Sequence, residues 1–391
     1  SNKTYNGNTT ASTTLSFSGL AGSETLGQSV SSTFNNKNVG TGKTVTVNSI
    51  TLSDGSNGGL ASNYTISAGQ TTTANITAKS LTVSGITASN KTYDANTNAT
   101  VDIGSVSYSG LVSGDNFTVS VSGTFDNKNV GTGKTVNVSA ITLSDGSNGG
   151  LASNYSIIAG QTTTANITAK SLTVSGITAS NKTYDGNTNA TTDVTSASYS
   201  GLVSGDNVVV SATGTFDNKN IGTGKTVTIS SSYSGSDVSN YSITNQSSTT
   251  ANVTARSLTV SSITASDKSY DGSATATLGT SNILYTGLVS GDDFSGSYTG
   301  TFNNANVASG KTVTISSTYS GDDVSNYSVT DQSSTTAAIV KKSLTATTSS
   351  SNKTYNGDAT ATTTLSFSGL VGSETLGQSV SSTFNNKNVG T

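Results

Sequence analysis

The sequence predicts an all-β fold built from tandem sandwich domains, and three observations support this. Apolar and polar residues alternate in short runs such as Phe117–Phe125, a period of two that is typical of half-buried strands. Turn-forming Gly, Asp and Asn separate these runs, and no apolar stripe of helical period is present. The same motifs return every 85 to 91 residues, so each period has the length of one small domain.

The repeats are marked by a Lys-Thr/Ser-Tyr-Asp/Asn motif, followed in constant order by Thr-Phe-Asp/Asn-Asn, Gly-Lys-Thr-Val, Ser-Asn-Tyr and Ser-Leu-Thr. The tyrosines of the first motif are Tyr5, Tyr93, Tyr184, Tyr270 and Tyr355. Ser-Leu-Thr opens each unit and gives the predicted domains: repeat 1 at 1–80, which lacks its first strand, repeat 2 at 81–170, repeat 3 at 171–256, repeat 4 at 257–342 and a partial repeat 5 at 343–391.

A longer period is superimposed on the domain repeat. Residues 1–41 and 351–391 match at 37 of 41 positions, far better than neighbouring repeats do. We infer a super-repeat of four domains, about 350 residues long, that continues in a longer protein. The absence of Met agrees with an internal or processed piece, whose export signal and anchor we expect to lie elsewhere.

Each repeat offers six or seven short strands, the pattern of an immunoglobulin-like sandwich. Val, Ile, Leu, Tyr and Phe are expected on the inner faces, with Thr, Ser and Asn outside. The segment Ile167–Val174 leads from the last strand of one unit into the first strand of the next without a Gly/Ser spacer. A short connection of this kind restricts bending, so the sequence predicts tandem immunoglobulin-like domains in an elongated rod.

Composition excludes several function classes. A net charge of −3 with only 10% charged residues provides no basic surface for nucleic acid or anionic lipid. No apolar run reaches the roughly 20 residues of a membrane span, so no membrane insertion is expected. The chain has no His and no Cys, and the adjacent carboxylates Asp292–Asp293 and Asp322–Asp323 are predicted to be solvated turns. We therefore predict no catalytic, cofactor-binding or metal-binding residues and no enzymatic activity.

Two kinds of site stay open at this stage. Calcium is the one plausible metal because all available ligands are oxygens, although repeat 1 offers only Glu24 and Asp54, and turn formation is the favoured role of the Asp residues of repeat 4, Asp271, Asp292, Asp293, Asp322 and Asp323. A Lys–Asn isopeptide bond is the second, between Lys3, Lys91, Lys182, Lys268 or Lys353 and Asn63, Asn154, Asn240 or Asn326. A strand-end Lys with its ammonium group in water is the favoured alternative.

Three further motifs receive structural interpretations. Gly-Thr-Gly-Lys at 40–43, 131–134 and 222–225 lacks the spacing of a phosphate loop, so a hairpin is predicted. The recurring tyrosines are predicted to be core residues with bonded hydroxyls rather than a stacking surface for sugars. Glycosylation of Asn-x-Ser/Thr sites such as Asn75 and Asn166 remains open.

Several motifs resemble the YDG repeat family of large bacterial surface proteins, many of them similar to filamentous haemagglutinins and other adhesins. They are Ile-Thr-Ala-Lys-Ser-Leu-Thr-Val-Ser-Gly-Ile-Thr-Ala-Ser-Asn-Lys-Thr-Tyr-Asp-Gly at 167–186, Gly-Leu-Val-Ser-Gly-Asp at 201–206, Gly-Thr-Phe-Asp-Asn-Lys-Asn-Ile-Gly-Thr-Gly-Lys at 214–225 and Ser-Asn-Tyr at 239–241. The sequence departs from the motif at Asn6, Asn356 and Ala95, so its Asp is not an obligatory catalytic group here.

The resemblance implies extracellular stalk or spacer repeats of a bacterial cell-surface adhesin, which project a distal binding region. One alternative is a self-assembling extracellular fibre or biofilm-matrix subunit, since low charge and the absence of Pro leave edge strands unprotected. Another is a glycan- or cell-binding module in each repeat. The expected partners are the flanking repeats of the same protein, with homotypic assembly or a host or surface glycan as further possibilities.

Overall fold

The computed structural model describes residues 1–146, 150–158 and 160–390, and they form tandem repeated β domains, which confirms the predicted all-β fold class. Helical structure in these ranges is limited to four 3₁₀ turns, Ala61–Asn63, Ala152–Asn154, Val238–Asn240 and Val324–Asn326. The chain divides into two compact units, one with Ser1–Ser175, Ser198–Val210 and Tyr233–Asn245, the other with Gly176–Ala197, Ser211–Ser232 and Gln246–Thr391.

Repeat 1 forms a single mixed sheet. Its strands are β1 (Lys3–Thr4), β2 (Thr10–Ala11), β3 (Leu26–Phe34), β4 (Gly40–Asp54) and β5 (Thr71–Thr77), in the sheet order β1-β5-β4-β3-β2. The long hairpin of β3 and β4 dominates this sheet. Val45 and Val47 of β4 are buried, while the alternating Thr44 and Thr46 are exposed and half-buried, as the period of two predicts.

Repeat 2 adds a second sheet and becomes a sandwich. Its strands are β6 (Lys79–Ser84), β7 (Thr87–Ala88), β8 (Lys91–Thr92), β9 (Asn98–Ala99), β10 (Val101–Asp102), β11 (Ser107–Ser109), β12 (Phe117–Phe125), β13 (Gly131–Asp145), β14 (Tyr155–Ile157) and β15 (Thr162–Thr168). The sheets are β11-β6-β14, β10-β7 and β8-β15-β13-β12-β9. Val83 of β6 packs with Ile86 and with Val138 of β13, so the core lies between the three-stranded and five-stranded sheets.

Repeat 3 repeats the same element order. Its strands are β16 (Lys170–Ser175), β17 (Thr178–Ala179), β18 (Lys182–Thr183), β19 (Asn189–Ala190), β20 (Thr192–Asp193), β21 (Ser198–Ser200), β22 (Val209–Phe216), β23 (Gly222–Ser234), β24 (Tyr241–Thr244) and β25 (Ser248–Thr254). The sheets are β21-β16-β24, β17-β20 and β18-β25-β23-β22-β19.

Repeat 4 is a sandwich like repeat 2, with Val260 and Ile263 packed against Ile315. Its strands are β26 (Arg256–Ser261), β27 (Thr264–Ala265), β28 (Lys268–Ser269), β29 (Thr275–Ala276), β30 (Leu278–Gly279), β31 (Leu284–Thr286), β32 (Ser295–Phe302), β33 (Ala308–Ser320), β34 (Tyr327–Thr330) and β35 (Ser334–Val340). The partial repeat 5 has the hairpin-like pairs β36 (Thr345–Ser350) with β38 (Thr363–Ser368) and β37 (Thr360–Ala361) with β39 (Ser382–Thr383).

The Gly-Thr-Gly-Lys motif is a β-bulge rather than the predicted hairpin turn. The register of β13 against β15 shifts between Gly131 and Lys134, and Gly133 has a φ of 60°, which a residue without Cβ adopts at little cost. The turn between β12 and β13 lies just before the motif, at residues 126–130. The motif itself is part of a strand, so it does not form the loop between a strand and a helix that binds phosphate.

The connections between repeats are as short as the sequence indicates. A single residue, Ala78, separates β5 from β6, and Ala169 and Ala255 do the same for β15 and β16 and for β25 and β26. The sheets assign Lys79–Ser84 to repeat 2, because β6 pairs with β11 and β14. Repeats 2, 3 and 4 thus each begin one residue after the last strand of the preceding repeat, whereas residues 341–344 separate β35 from the first strand of repeat 5.

Candidate functional site at the repeat junctions

Successive repeats share hydrophobic core residues at their junctions. Tyr5, Phe34 and Ile76 of repeat 1 belong to the same buried cluster as Leu81 and Tyr155 of repeat 2. The equivalent cluster of the third junction joins residues of repeats 3 and 4, namely Tyr184, Phe216, Val227, Ala251 and Val253 with Leu258 and Tyr327. Buried aromatic rings contribute most of the contact area in such clusters, so neighbouring repeats stabilise one another.

Each junction consists of a plug on one repeat and a socket on the next. The plug contains the motif tyrosine and the Asn-Lys-Asn-Val/Ile turn, and the socket contains the Gly-Asp turn and the Ser-Asn-Tyr segment. The members are Tyr5 and Lys37–Val39 with Asp115, Asn154 and Tyr155 at junction 1, Tyr93 and Lys128–Val130 with Asp206, Asp237, Asn240 and Tyr241 at junction 2, and Tyr184 and Lys219–Ile221 with Asp292, Asp323, Asn326 and Tyr327 at junction 3.

Two tyrosine hydroxyls converge on one buried carboxylate at junctions 1 and 3. Tyr5 and Tyr155 donate to Asp115 Oδ2 at 2.9 and 2.7 Å, and their rings meet edge to face with centroids 5.4 Å apart. Tyr184 donates to Asp292 Oδ2 at 2.9 Å. Burial, and then the neighbouring carboxylate, raise the pKa of Tyr5 and of Tyr184 to about 12.

A plug lysine compensates the charge of the socket carboxylates. Lys128 Nζ lies 3.3 Å from Asp206 and 3.0 Å from Asp237. The Asn207 N–H and then Lys128 lower the pKa of Asp237 to about 2. Lys219 makes the same pair of contacts at junction 3, while Lys37 is 3.9 Å from its single carboxylate. A buried carboxylate needs such partners because its desolvation is costly.

A fully buried asparagine fixes the register of plug and socket. Asn154, Asn240 and Asn326 are each 0% exposed. The Oδ1 of Asn154 accepts the N–H of Val39 at 2.8 Å, and its Nδ2 donates to Asn38 Oδ1 at 3.2 Å. The corresponding Oδ1 bonds at junctions 2 and 3 are 2.9 and 3.0 Å long. A two-point contact of this kind allows only one position of the plug turn.

Junction 4 has the same plan with different chemistry. Tyr270 of repeat 4 donates its hydroxyl to Glu374 of repeat 5, so Glu stands where the other sockets have Asp. Ala305 occupies the plug position held by Lys37, Lys128 and Lys219 elsewhere. A cavity of about 240 Å³ at this junction is lined by Tyr270, Val307 and Val371 among others. The carboxylate and the plug lysine therefore change together.

The prediction that Asp292 and Asp323 lie in solvated turns is wrong. Both carboxylates are largely buried in the socket of repeat 4, where Asp292 accepts two tyrosine hydroxyls. Asp293 supports this turn, because its N–H donates to Asp323 Oδ2 and its Oδ2 accepts the N–H of Asp322. Asp271 instead pairs with Lys268. Within the described ranges no three His, Cys, Asp or Glu side chains cluster so that they could hold a metal ion, and the predicted absence of a cofactor stays an untested prediction.

The motif lysines do not extend into water as predicted. Lys91 Nζ donates to Asp94 Oδ1 at 2.7 Å and to the Asn96 carbonyl and Oδ1 at 2.8 and 2.9 Å, and it lies over the Phe125 ring at 5.6 Å. Lys91 thus links Asp94 to Asn96 and stabilises the loop that follows the motif tyrosine, Tyr93. Asn154 bonds to the plug of the preceding repeat instead, so these contacts do not bring the proposed isopeptide partners together.

Tyr5, Tyr93 and Tyr184 are buried as predicted, but Tyr270 is half-buried and Tyr355 is 59% exposed, so the prediction is wrong for Tyr355. Sequence reasoning also missed the partners of these tyrosines in the next repeat. The recurrence of Ser-Asn-Tyr and of the Gly-Asp turn outside the alternating strands was the available signal. In the described part of the chain, no helix has the length and apolar character needed to cross a membrane.

Comparison with protein-family models matches the YDG domain at residues 1–74, 77–165, 168–251 and 254–337. The chain therefore belongs to the YDG domain family and carries four tandem copies of this domain. No curated protein sequence matches it.

Among solved structures, similar chains include Drosophila N-cadherin EC1-4, with 8% identity over 88% of this chain and 98% of that chain at a TM-score of 0.22. Drosophila N-cadherin EC1-3 has 8% identity over 66% of this chain and 98% of that chain at a TM-score of 0.20. Scores this low support no conclusion about this chain.

Proposed function

We propose that the chain is a spacer segment of a secreted or cell-surface bacterial adhesin, in which it holds a distal binding region away from the cell. The observation that carries this proposal is the core shared by successive repeats. A one-residue connection combined with a packed, hydrogen-bonded junction limits hinge bending far more than a linker alone.

The surface chemistry suits a passive role. The outward positions of the strands carry Thr, Ser and Asn, as in Thr71–Thr77 and Thr162–Thr168, so the coat is hydrophilic without strong charge. Such a surface offers few nonspecific contacts to charged partners. We propose that the segment has no catalytic activity and needs no cofactor.

Small-angle X-ray scattering of the full chain tests the spacer role. We expect one maximum dimension for the wild type, unchanged between calcium and a chelator. Tyr184→Ala removes a junction ring and should broaden the distribution of dimensions. Tyr355→Ala is the matched control, because the same motif position is 59% exposed there. A wild type that is already as variable as the Tyr184 variant refutes the proposal, and dimensions that change only in chelator refute its calcium independence.

Antibody labelling tests the location. Cells that produce the protein should bind an antibody raised against this chain without permeabilisation, and protease added outside should remove the epitope. Labelling that requires permeabilised cells would contradict the surface role while leaving the junction geometry unaffected.

A further inference from the structure

Junction 2 differs from junctions 1 and 3 at one position of the plug loop. Ala95 follows two residues after the motif tyrosine, where junctions 1 and 3 have Gly7 and Gly186. Its φ of 64° lies in the left-handed region, which is unfavourable for a residue with a Cβ. Repeat 2 therefore has a strained residue on the surface that faces the next repeat.

The Cβ of Ala95 also limits how closely the plug approaches the socket. A Cβ built on Gly7 would lie 2.6 Å from Cγ1 of Val112 in the next repeat. One built on Gly186 would lie 2.8 Å from Cγ1 of Val289. Both separations are too short, because carbon atoms pack at about 3.5–4.0 Å. Since Ala95 carries this atom, its loop cannot approach the socket of repeat 3 as closely as the glycine loops approach theirs.

The Tyr93 hydroxyl has no partner at this junction. Tyr93 is 1% exposed, and its hydroxyl makes no hydrogen bond to the residues that the structure describes. Lys128 and Asp206 lie near it, but Asp206 accepts the hydroxyl of Tyr241, at 2.6 Å. In junctions 1 and 3 the motif tyrosine donates to the socket carboxylate at 2.9 Å. A buried hydroxyl without a partner is destabilising, because its bonds to water are lost and none replaces them.

Junction 3 is the matched comparison, because the turn of its plug makes the same contacts. Its plug lysine meets two carboxylates at 3.2 and 2.8 Å, against 3.3 and 3.0 Å in junction 2. Its buried asparagine accepts the plug N–H at 3.0 Å, against 2.9 Å. Junction 3 also has a bond of 2.7 Å from Arg256 Nε to the Gly287 carbonyl, where repeat 3 has Lys170. The two junctions therefore differ beside the motif tyrosine and agree at the turn.

We propose that junction 2 is the weak junction of the array, which opens more readily than junctions 1 and 3 and allows bending there while each repeat stays folded. Ala95 and the unbonded hydroxyl of Tyr93 weaken the tyrosine half of the contact. The turn half is intact, because the Val130 N–H bonds to Asn240. Since this bond fixes the register, the junction can close again in the same position. The inference rests on differences among the junctions and holds whether or not the segment is an extracellular spacer.

Amide hydrogen exchange of the full wild-type chain ranks the three junctions. The reporters are the N–H groups of Val39, Val130 and Ile221, which bond across junctions 1, 2 and 3 to Asn154, Asn240 and Asn326. Each reports one opening equilibrium when exchange is limited by it. After correction for intrinsic rates, exchange at Val130 should be about tenfold faster than at the other two, the factor that one hydrogen bond to a charged group supplies. Protection at Val130 that equals or exceeds that of either other amide overturns the proposal.

Reciprocal variants test the role of Ala95. Ala95→Gly should slow exchange at Val130 and leave Ile221 unchanged, because it removes both the strain and the Cβ. Gly186→Ala should instead speed exchange at Ile221 and leave Val130 unchanged. Gly69→Ala is the control for an alanine at positive φ outside the junctions, since a Cβ there meets nothing within 4 Å, and it should change neither amide. An unchanged Val130 rate in Ala95→Gly overturns the proposal.

The tyrosine hydroxyls are tested separately. Tyr93→Phe removes a hydroxyl that makes no hydrogen bond, so exchange at Val130 should be no faster than in the wild type. Tyr184→Phe removes a bonded hydroxyl and should speed exchange at Ile221. Equal acceleration in the two variants would show that both hydroxyls are bonded, and it would overturn the distinction between junctions 2 and 3.

Discussion

Removal of the Tyr184 hydroxyl should loosen junction 3 without affecting the other junctions. Tyr184→Phe deletes one hydrogen bond to the buried carboxylate of Asp292, and bonds to charged groups contribute about 1.5–3 kcal/mol. Asp292 keeps its bonds to Tyr327 and Lys219, so its desolvation stays compensated. We therefore expect the lower end, about 1.5 kcal/mol, which is roughly a tenfold change in the opening equilibrium.

Amide hydrogen exchange measures this opening at a single site. The Ile221 N–H bonds only across the junction, to Asn326 Oδ1, so its exchange rate should rise about tenfold in the variant when exchange is limited by the opening equilibrium. The Val39 N–H, which bonds to Asn154, should be unchanged. Tyr5→Phe should reverse the pattern. An Ile221 rate within about twofold of the wild type, or an equal effect on both amides, would refute local junctions held by these hydroxyls.

Three further predictions follow from the junctions. Asn240→Ala should lower the free energy of junction opening by about 1–3 kcal/mol, because it leaves the Val130 N–H without its partner. The exposed Asn63 makes no such contact, so Asn63→Ala should change the free energy of opening by no more than about 0.5 kcal/mol. Amide exchange measures both. Ala95 has a φ of 64°, so Ala95→Gly should raise the free energy of unfolding by about 1 kcal/mol. Gly186→Ala should instead lower the melting temperature, because its Cβ would lie 2.8 Å from Val289 of the next repeat. The folded-state pKa of Tyr184, about 12, exceeds the value of about 10 in an unfolded chain. The stabilisation that the protonated hydroxyl gives the junction is therefore complete below about pH 10 and is lost as the pH rises through about 12. Tyrosinate absorbance followed together with amide exchange should show junction opening in this window, and opening at lower pH would contradict this prediction.

The strands and their faces could be predicted because the period of two is a local property of the backbone. Val45 and Val47 are buried as the alternation requires. The absence of a spacer around Ala78 and Ala169 could also be read directly from the sequence. These features depend on neighbouring residues alone.

The junction contacts could not be predicted because periodicity says which residues are buried, not which repeat covers them. Tyr5 has the same pattern whether its hydroxyl bonds within repeat 1 or, as observed, to Asp115 of repeat 2. A Gly-Asp turn likewise has the same sequence signature for a solvated and for a buried carboxylate, so the burial of Asp292 could not be predicted. The sequence predicts that Lys91 extends into water because charged side chains are usually exposed, whereas its own loop supplies the acceptors of its ammonium group.

The shared core also bears on how such a chain responds to tension. Domains joined by free linkers yield to a pulling force one at a time, each with its own rupture strength. Here the ring of Tyr184 must leave the core that it shares with Leu258 and Tyr327 before either repeat can yield separately, and the loss of one repeat uncovers apolar surface on its neighbour. The force needed to unfold the array therefore depends as much on the junctions between repeats as on the repeats themselves.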